Sequence, residues 1–320
     1  MTIPFFRKQK LLSRFGLWQS GEIPVRVDNN PDLGYEKINW WYYPLMIPLT
    51  LILAFWVALK KKIFGPRLKI NFFMFDGLSP LCRTIKENAT TWKALDIIYN
   101  YSSGQDPTFV GKLNDFWNNL LSVRATRNRL RLTKYYLKKE IEEALKKFSK
   151  VRLFSVASGS AQGVLEVLEE FKEKPIEAIF LDLDKSALAH SRKMAEKMGV
   201  QNKIYFINKS AREIEEIGKN FSPHIVEVVG FLMYRPYEKA IALIQRIYHI
   251  LALEGVLLVS QDNHILEEFF IHQVANWPII FRSPSDFIDI LIKGGFRPEN
   301  CKIIYEPLKM HGLAICKKNI

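Results

Sequence analysis

The stretch VRLFSVASGSAQG, residues 151–163, decides the fold of this chain. An apolar run leads directly into a loop of small residues, and a helical pattern follows the loop. Small side chains let a ligand approach the backbone at the N-terminus of that helix, where free N–H groups point outward. The loop residues are Ala157, Ser158, Gly159, Ser160 and Ala161. The stretch therefore predicts a strand, a ligand-binding loop and a helix in succession.

The next apolar run ends in FLDLD, residues 180–184, which places Asp182 at the end of a second strand. A carboxylate in this position can accept hydrogen bonds from two ribose hydroxyls. Together, the loop and the acid indicate a cofactor that contains a nucleoside. Nicotinamide dinucleotides and S-adenosylmethionine both fit this geometry.

Short apolar runs alternate with helical patterns around this stretch, which is typical of a parallel α/β sheet. The predicted strands are residues 151–157, 177–183, 203–207, 225–229 and 255–260, and the predicted helices between them are 164–171, 186–198 and 237–253. The fold class is therefore α/β, with a doubly wound, Rossmann-like sheet.

The C-terminal end separates the two cofactor classes. A predicted helix at 284–293 is followed by Gly294-Gly295-Phe296, a strand at 302–306, a short turn and a last strand at 312–317. This ending resembles the reversed final hairpin of class I S-adenosylmethionine-dependent methyltransferases. The resemblance covers roughly residues 113–320 and is closest to a largely uncharacterised group of bacterial methyltransferases.

The resemblance implies an S-adenosylmethionine-dependent methyltransferase whose sheet has an antiparallel last strand. It further implies that the loop from Ala157 to Ala161 contacts the methionine part of the cofactor. Asp182, with its neighbour Leu183, would contact the ribose. The turn at residues 208–211, which contains Ser210, would contact the adenine.

The sequence departs from the family pattern at several of these positions. Ser155 stands where the family usually has an acid, and Ser210 stands where an aspartate often contacts the adenine. Ala157 and Ala161 replace two glycines, and alanine permits the same close approach if its φ stays negative. These departures leave open a methyltransferase-like domain that has lost catalysis.

A basic cluster lies on the predicted helical region at 111–148, which reads as one long helix or two consecutive helices. One interpretation of its arginines is a solvated face against anionic lipid headgroups. The other is that Arg127, which falls on the apolar stripe, turns inward to hold a carboxylate or phosphate of the cofactor. The cluster consists of Arg124, Arg127, Arg129 and Arg131.

Residues that follow the fourth and fifth predicted strands are candidates for the acceptor pocket, because ligands bind beyond the carboxyl ends of such strands. They are Gly230, Phe231, Tyr234, Asp262, Asn263 and His264. His264 and Tyr234 are candidate catalytic groups, although a loop histidine without a role remains an alternative. Glu227 is a third candidate, because a carboxylate within an apolar strand needs a partner, for which Arg127 or Arg124 is expected.

No metal site is expected, since His264 and His272 are not at a helical ligand spacing.

The run YYPLMIPLTLILAFWVAL, residues 42–59, is uncharged and barely long enough to cross a bilayer. Aromatic residues lie at its N-terminal end and lysines at its C-terminal end, as at membrane interfaces; they are Trp40, Trp41, Tyr42 and Tyr43, and Lys60, Lys61 and Lys62. A spanning helix, shallow insertion and a buried core helix all remain open. The excess of lysine after the run predicts that the C-terminal part faces the cytoplasm.

The distribution of charge supports a membrane rather than a nucleic-acid partner. The chain has 320 residues and a net charge of +13, but the basic excess borders the apolar run and the C-terminal half is balanced. No nucleic acid is therefore expected as a partner, whereas anionic lipids are. The predicted organisation is a tail at 1–39, a membrane segment at 40–64, a helical linker or cap at 65–110 and a methyltransferase-like domain at 111–320.

The leading hypothesis is a membrane-anchored, cytoplasm-facing methyltransferase that acts on a small or lipid-like acceptor. A membrane-tethered binding or regulatory protein is the main alternative, and a nicotinamide-dependent oxidoreductase is disfavoured by the final hairpin. The sequence leaves the oligomeric state open.

Overall fold

The structure is a computed structural model that describes residues 23–65 and 68–318. Within these residues one sheet has the strand order β1-β7-β8-β6-β5-β2-β3-β4. The strands are β1 Val25–Val27, β2 Val151–Val156, β3 Ile176–Leu181, β4 Ile204–Ile207, β5 Ile225–Val228, β6 Val256–Asp262, β7 Cys301–Tyr305 and β8 His311–Lys317.

The helices of the described residues fall into an N-terminal group and a group that covers the sheet. The first group is α1 Tyr42–Phe64, α2 Pro80–Glu87, α3 Trp92–Asn100 and α4 Phe109–Asn118. The second is α5 Leu121–Lys147, α6 Gln162–Glu170, α7 Lys185–Met198, α8 Ile214–Phe221, α9 Tyr237–Ile250, α10 Glu268–Gln273 and α11 Pro284–Lys293.

The sheet confirms the predicted fold class. Strands β2 to β6 are parallel, whereas β8 runs antiparallel between β6 and β7. The central strands read as continuous apolar runs because helices cover both of their faces. The strand order reverses between β2 and β5, and a ligand crevice is expected beyond the carboxyl ends of strands at such a point.

A short edge strand from the predicted tail extends the sheet. Val25 pairs with Ile303 in the parallel ladder between β1 and β7. Three residues with mixed burial are too few to predict as a strand from their pattern alone. Part of the region before α1 is therefore attached to the sheet.

Three apolar clusters hold the described residues together. One lies between the sheet and α8, α9 and α11, and a second lies between the opposite face and α5, α6 and α7. The third joins α1 to α4 with α10 and the aromatic residues that follow β6. This third cluster forms a cap over the carboxyl ends of the strands and so encloses the space where ligands are expected.

Helix α1 has one packed stripe and one exposed stripe. Tyr42, Met46, Leu53 and Val57 are buried against the cap. The opposite side exposes a row of large apolar residues, namely Leu45, Leu51, Ile52, Phe55, Leu59 and Ile63. By length and composition α1 could cross a membrane, and a single helix of this kind is a weak indication of one.

Candidate active site

The small-residue loop follows β2 and lines an open cleft. Ala157, Gly159 and Ala161 all adopt positive φ, between 52° and 55°. The condition of a negative φ is therefore not met at the two alanines, and each left-handed alanine costs on the order of 1 kcal/mol. The Ser158 hydroxyl is buried and has no hydrogen-bond partner among the described residues. The loop therefore has a strained backbone at the two alanines. Beside the cleft it also has the Ser158 hydroxyl, which has no partner in the described part of the chain.

Asp182 lies beside this loop, as the sequence predicts. Its Oδ2 accepts a hydrogen bond from the Gly159 N–H at 2.7 Å, and its Oδ1 accepts one from the Asp184 N–H at 2.8 Å. Burial raises the pKa of its carboxyl. A carboxylate has about four lone-pair sites, so acceptor capacity remains for hydroxyl groups of a ligand.

Leu183 and Ser210 are not among the residues that line the cleft. The Leu183 side chain is exposed, and Asn208 Nδ2 donates to its carbonyl oxygen at 2.9 Å. Ser210 forms a capping box with Glu213 at the start of a short helical turn. The predicted contacts of these two residues with ribose and adenine stay predictions.

Arg127 does not face the cleft, contrary to the prediction that it holds the cofactor. Its Nε and Nη2 donate to the two carboxylate oxygens of Glu36, at 2.6 and 2.7 Å. It is buried, as its place on the apolar stripe requires, but its partner comes from the chain before α1. The alternative of a wholly solvated arginine face is also wrong, because Arg129 is buried as well.

Glu227 is paired with a serine rather than with Arg127 or Arg124. The Ser155 hydroxyl donates to Glu227 Oε2 at 2.6 Å, and the Val229 N–H donates to Oε1 at 2.9 Å. Ser155 and Glu227 are register partners on β2 and β5. Burial raises the pKa of the Glu227 carboxyl to about 7, although both hydrogen bonds and Arg129 oppose the shift. Strand β5 therefore supplies the Glu227 carboxylate beside Ser155, the position on β2 where the family usually has an acid.

The cleft has a cavity volume of about 710 Å³, and its wall combines the loop, the ends of three strands and the cap. Besides the loop, it is lined by Asp182, Glu227, Gly230 and Tyr234. From α3, Trp92 and Tyr99 also reach the wall. The sequence predicts a helical linker or cap at residues 65–110, but its pattern does not indicate that side chains of α3 line the cleft.

A smaller, largely apolar pocket of about 80 Å³ adjoins the cleft and shares Leu95, Gly230 and Tyr234 with it. Aromatic rings form much of its wall, and Trp117 stacks on Phe270 with ring centroids 5.2 Å apart. The lining also includes Phe75 and Trp277.

Polar groups line the same small pocket, among them Arg129, Asp262 and His311. Arg129 Nη2 donates to the Tyr99 hydroxyl at 2.9 Å, while its Nε is buried without a partner in the described part of the chain. The arrangement suits a ligand with an apolar body and a polar end.

The predicted base His264 lies outside both cavities. Its Nδ1 is 2.8 Å from Glu268 Oε1 on the protein surface. Asp262, which the sequence nominated by position, is buried and lies 2.7 Å from His311 Nδ1. His311 was missed because it is distant from Asp262 in the chain and reaches it through the antiparallel pairing of β8 with β6.

A family model described as "Putative methyltransferase" matches residues 84–259 of this chain. A search of the curated proteins finds no match. Among solved structures, a possible exported protein from Bordetella parapertussis has 15% identity and a TM-score of 0.65, covering 77% of this chain and 85% of that one. At this identity the likeness concerns the fold alone.

Two further structures are more distant in shape. An O-methyltransferase family protein from Burkholderia thailandensis has 13% identity and a TM-score of 0.47, over 75% of this chain and 71% of its own. A methyltransferase from Geobacter sulfurreducens in complex with S-adenosyl-L-homocysteine has 17% identity and a TM-score of 0.32, over 39% of this chain and 47% of its own.

The sheet with its reversed last strand, and the loop and acid beyond β2 and β3, define a class I S-adenosylmethionine-dependent methyltransferase. The family match spans more than half of the chain, so the protein belongs to this methyltransferase family. It is an enzyme whose cofactor is S-adenosylmethionine. The residues present fit that cofactor: the cleft offers two carboxylates, a close-approach loop and the unpaired Ser158 hydroxyl.

Proposed function

We propose that this protein transfers a methyl group from S-adenosylmethionine in the cleft to a small apolar or lipid-like acceptor in the adjoining pocket. The observation that carries the proposal is that the two cavities meet at Gly230 and Tyr234. An acceptor in the pocket then faces a cofactor in the cleft across one short boundary, as an in-line transfer requires.

Each part of the cleft has a proposed partner on the cofactor. The loop from Ala157 to Ala161 holds the methionine part, with Ser158 as a hydrogen-bonding group. Glu227 accepts the methionine ammonium, and Asp182 binds the ribose hydroxyls. The family-derived contacts of Leu183 and Ser210 remain the proposal for the outer ribose and adenine.

The cofactor supplies a methyl group bonded to a positively charged sulfur, which is reactive toward nucleophiles. The chain therefore has to align the acceptor and exclude water rather than create a reactive group. The aromatic wall of the pocket and the cap over the strands serve both purposes, because they fix a flat apolar ligand and shield it from solvent.

We further propose that α1 attaches the protein to a membrane, with the domain at the cytoplasmic face. An exposed apolar stripe on a helix of a soluble protein is unusual, and the lysines at the C-terminal end of α1 favour a leaflet with anionic lipids. The packed stripe favours insertion of one face over an isolated spanning helix. The third apolar cluster includes both α1 and the pocket wall, so a lipophilic acceptor at the membrane has a short path to the site.

Calorimetric titration of the full chain in detergent with S-adenosylmethionine tests the cofactor assignment. We expect Asp182→Ala to weaken binding roughly tenfold to a hundredfold, because hydrogen bonds to a charged group contribute about 1.5–3 kcal/mol. Asp289→Ala is the matched control, since Asp289 pairs with Lys293 on the outer surface of α11. Equal affinity of wild type and Asp182→Ala, or binding of NADH instead, would contradict the assignment.

A further inference from the structure

A buried histidine–aspartate pair lies in the wall of the small pocket. His311 and Asp262 are each 1% exposed, and His311 Nδ1 is 2.7 Å from Asp262 Oδ1. They face each other as register partners on β8 and β6. An ionised carboxylate can only accept a hydrogen bond, so Nδ1 carries the proton and Nε2 of the neutral ring has a free lone pair.

The nearest neighbour of Nε2 cannot satisfy that lone pair. Thr126 Oγ1 lies 3.3 Å from Nε2, but it donates its single proton to the Ser122 carbonyl oxygen at 2.8 Å. Thr126 can therefore only accept a hydrogen bond from Nε2. Within the described residues, Nε2 of the neutral ring therefore has no hydrogen-bond donor. In this geometry Nε2 can take a proton from a ligand in the pocket and then donate a hydrogen bond to Thr126 Oγ1.

The pair also lies at the right place for the transfer. His311, Asp262 and Thr126 line the pocket together with Gly230 and Tyr234, which border the cofactor cleft. The pocket, with a volume of about 80 Å³, is much smaller than the cleft, with about 710 Å³, so it suits a small acceptor.

We infer that His311 is the general base of the methyl transfer and that the acceptor is a small phenol-like molecule. The inference deepens the proposed function and rests on it. His311 Nε2 takes the proton of the acceptor hydroxyl, and the oxygen forms a bond to the methyl carbon. The methyl–sulfur bond breaks as its electron pair returns to sulfur, which becomes neutral. The imidazolium then loses its proton to solvent when the product leaves, and Asp262 is the positioning residue that fixes the ring tautomer.

Other ionisable groups surround this pair. The Glu306 side chain accepts a hydrogen bond from the His311 backbone N–H at 3.1 Å, and burial raises the pKa of its carboxyl. Arg129, from α5, interacts electrostatically with Asp262. Burial raises the pKa of Tyr234 to about 12 and also raises the pKa of Tyr305. The negative charge of Asp262 adds to both shifts. Tyr234 and Tyr305 therefore stay neutral near pH 7 and do not serve as the base.

Three probes of one shape and different acceptor atoms test the inference. The full chain in detergent is incubated with methyl-labelled S-adenosylmethionine and para-cresol, para-toluidine or para-toluate. We expect preferred methylation of para-cresol, because a base at His311 activates a hydroxyl that must lose its proton, whereas it gives no advantage to an amine that is nucleophilic without a base or to a carboxylate that has no proton to remove. Preferred methylation of para-toluidine or para-toluate, or methylation of none of the three by a chain that binds the cofactor, would overturn the inference.

The variant His311→Asn separates a catalytic from a structural role. Loss of a general base lowers a rate by roughly a hundredfold to ten-thousandfold, and we expect a drop in kcat for para-cresol within that range. The wild-type rate should rise with pH along a limb that the variant lacks. The variant should regain rate only as the pH approaches about 10, where the phenol ionises without help.

Control measurements complete the test. His249→Asn removes a matched histidine–carboxylate pair, His249 with Glu215, from the surface and should leave kcat unchanged. Asp262→Asn should lower kcat with little change in KM, which also tests the pair if His311→Asn does not fold. Unchanged cofactor affinity in each variant shows a folded site. A wild type that fails to bind the cofactor would overturn the proposed function and this inference together, whereas a variant with an unaltered rate and pH profile would overturn the inference alone.

Discussion

At the scale of single residues, the proposed contact of Glu227 with the cofactor ammonium should make cofactor binding depend on pH. Burial holds the pKa of its carboxyl near 7 in the free protein, while the ammonium of the cofactor requires the ionised form. Below pH 7 the carboxyl must therefore lose a proton on binding, and the affinity falls. We expect calorimetry to show roughly tenfold weaker binding at about pH 5.5 than at about pH 7.

The variant Glu227→Gln is the control for this prediction, because it keeps a hydrogen-bonding side chain without the titration. Its affinity should be lower at pH 7 and should vary little over the same interval. Asp182, whose pKa is also raised by burial, is present in both proteins and does not distinguish them. A wild-type affinity that stays constant between the two pH values would argue against an ammonium contact at Glu227.

Some of these residues could be predicted from the sequence and others could not, for a physical reason. Asp182 follows a strand and lies beside a loop that precedes a helix, so local order along the chain is sufficient to find it. Arg127 was correctly placed on a buried stripe, but a periodic pattern does not reveal a partner such as Glu36. His311 meets Asp262 only because β8 runs antiparallel beside β6, and the register of β8 against β6 is not visible in the composition of either strand.

At the scale of secondary-structure elements, α1 is the clearest candidate for contact with lipid. The change Ile52→Asp with Phe55→Asp places two charges on its exposed stripe, where the side chains are 67% and 72% exposed. Because these positions face away from the cap, the fold should be kept. We expect the variant to lose co-flotation with vesicles that contain phosphatidylglycerol, since a charge on an apolar lipid-facing surface costs about 2.5–3.5 kcal/mol.

Phe109→Asp is the matched control, because Phe109 is 64% exposed but lies at the start of α4. It should float with the vesicles as the wild type does. Raising the salt concentration should weaken binding in part, through Lys60, Lys61 and Lys62. Flotation of the double variant to the wild-type extent would mean that α1 does not meet lipid through this stripe.

The sheet elements could be predicted from the sequence more completely than the N-terminal region. Parallel strands buried on both faces give continuous apolar runs, and their connecting helices give clear periodicity. The edge strand β1 has neither feature, because three residues carry too little pattern. The cap helices were found in part, but their position over the strands depends on the third apolar cluster and not on any local signal.

At the scale of the whole molecule, residues before α1 fasten that helix to the catalytic domain. The Asn128 side chain donates to the Glu36 carbonyl oxygen at 2.9 Å and accepts from the Glu36 N–H at 2.8 Å. The Glu36 carboxylate forms salt bridges with the guanidinium groups of Arg127 and Arg131. The chain before α1 is thus fixed to the sheet by β1 and to α5 by Glu36, which limits how far the site can move from α1.

Glu36→Gln should therefore lower the free energy of unfolding by about 2–4 kcal/mol, because it leaves the buried Arg127 guanidinium without a counter-charge. Asp32→Asn makes the same change of charge at an exposed position of the same segment and should have little effect. Burial acts to raise the pKa of Glu36, but hydrogen bonds and charges from Arg127 and Arg131 outweigh it and hold the pKa below its usual value. The stabilisation is then present above the unfolded pKa of about 4.3 and is lost as the pH falls through the lower folded value. Urea unfolding followed by tryptophan fluorescence should show a wild-type advantage at neutral pH that shrinks in acid, and an equal advantage at both would contradict an ionic origin.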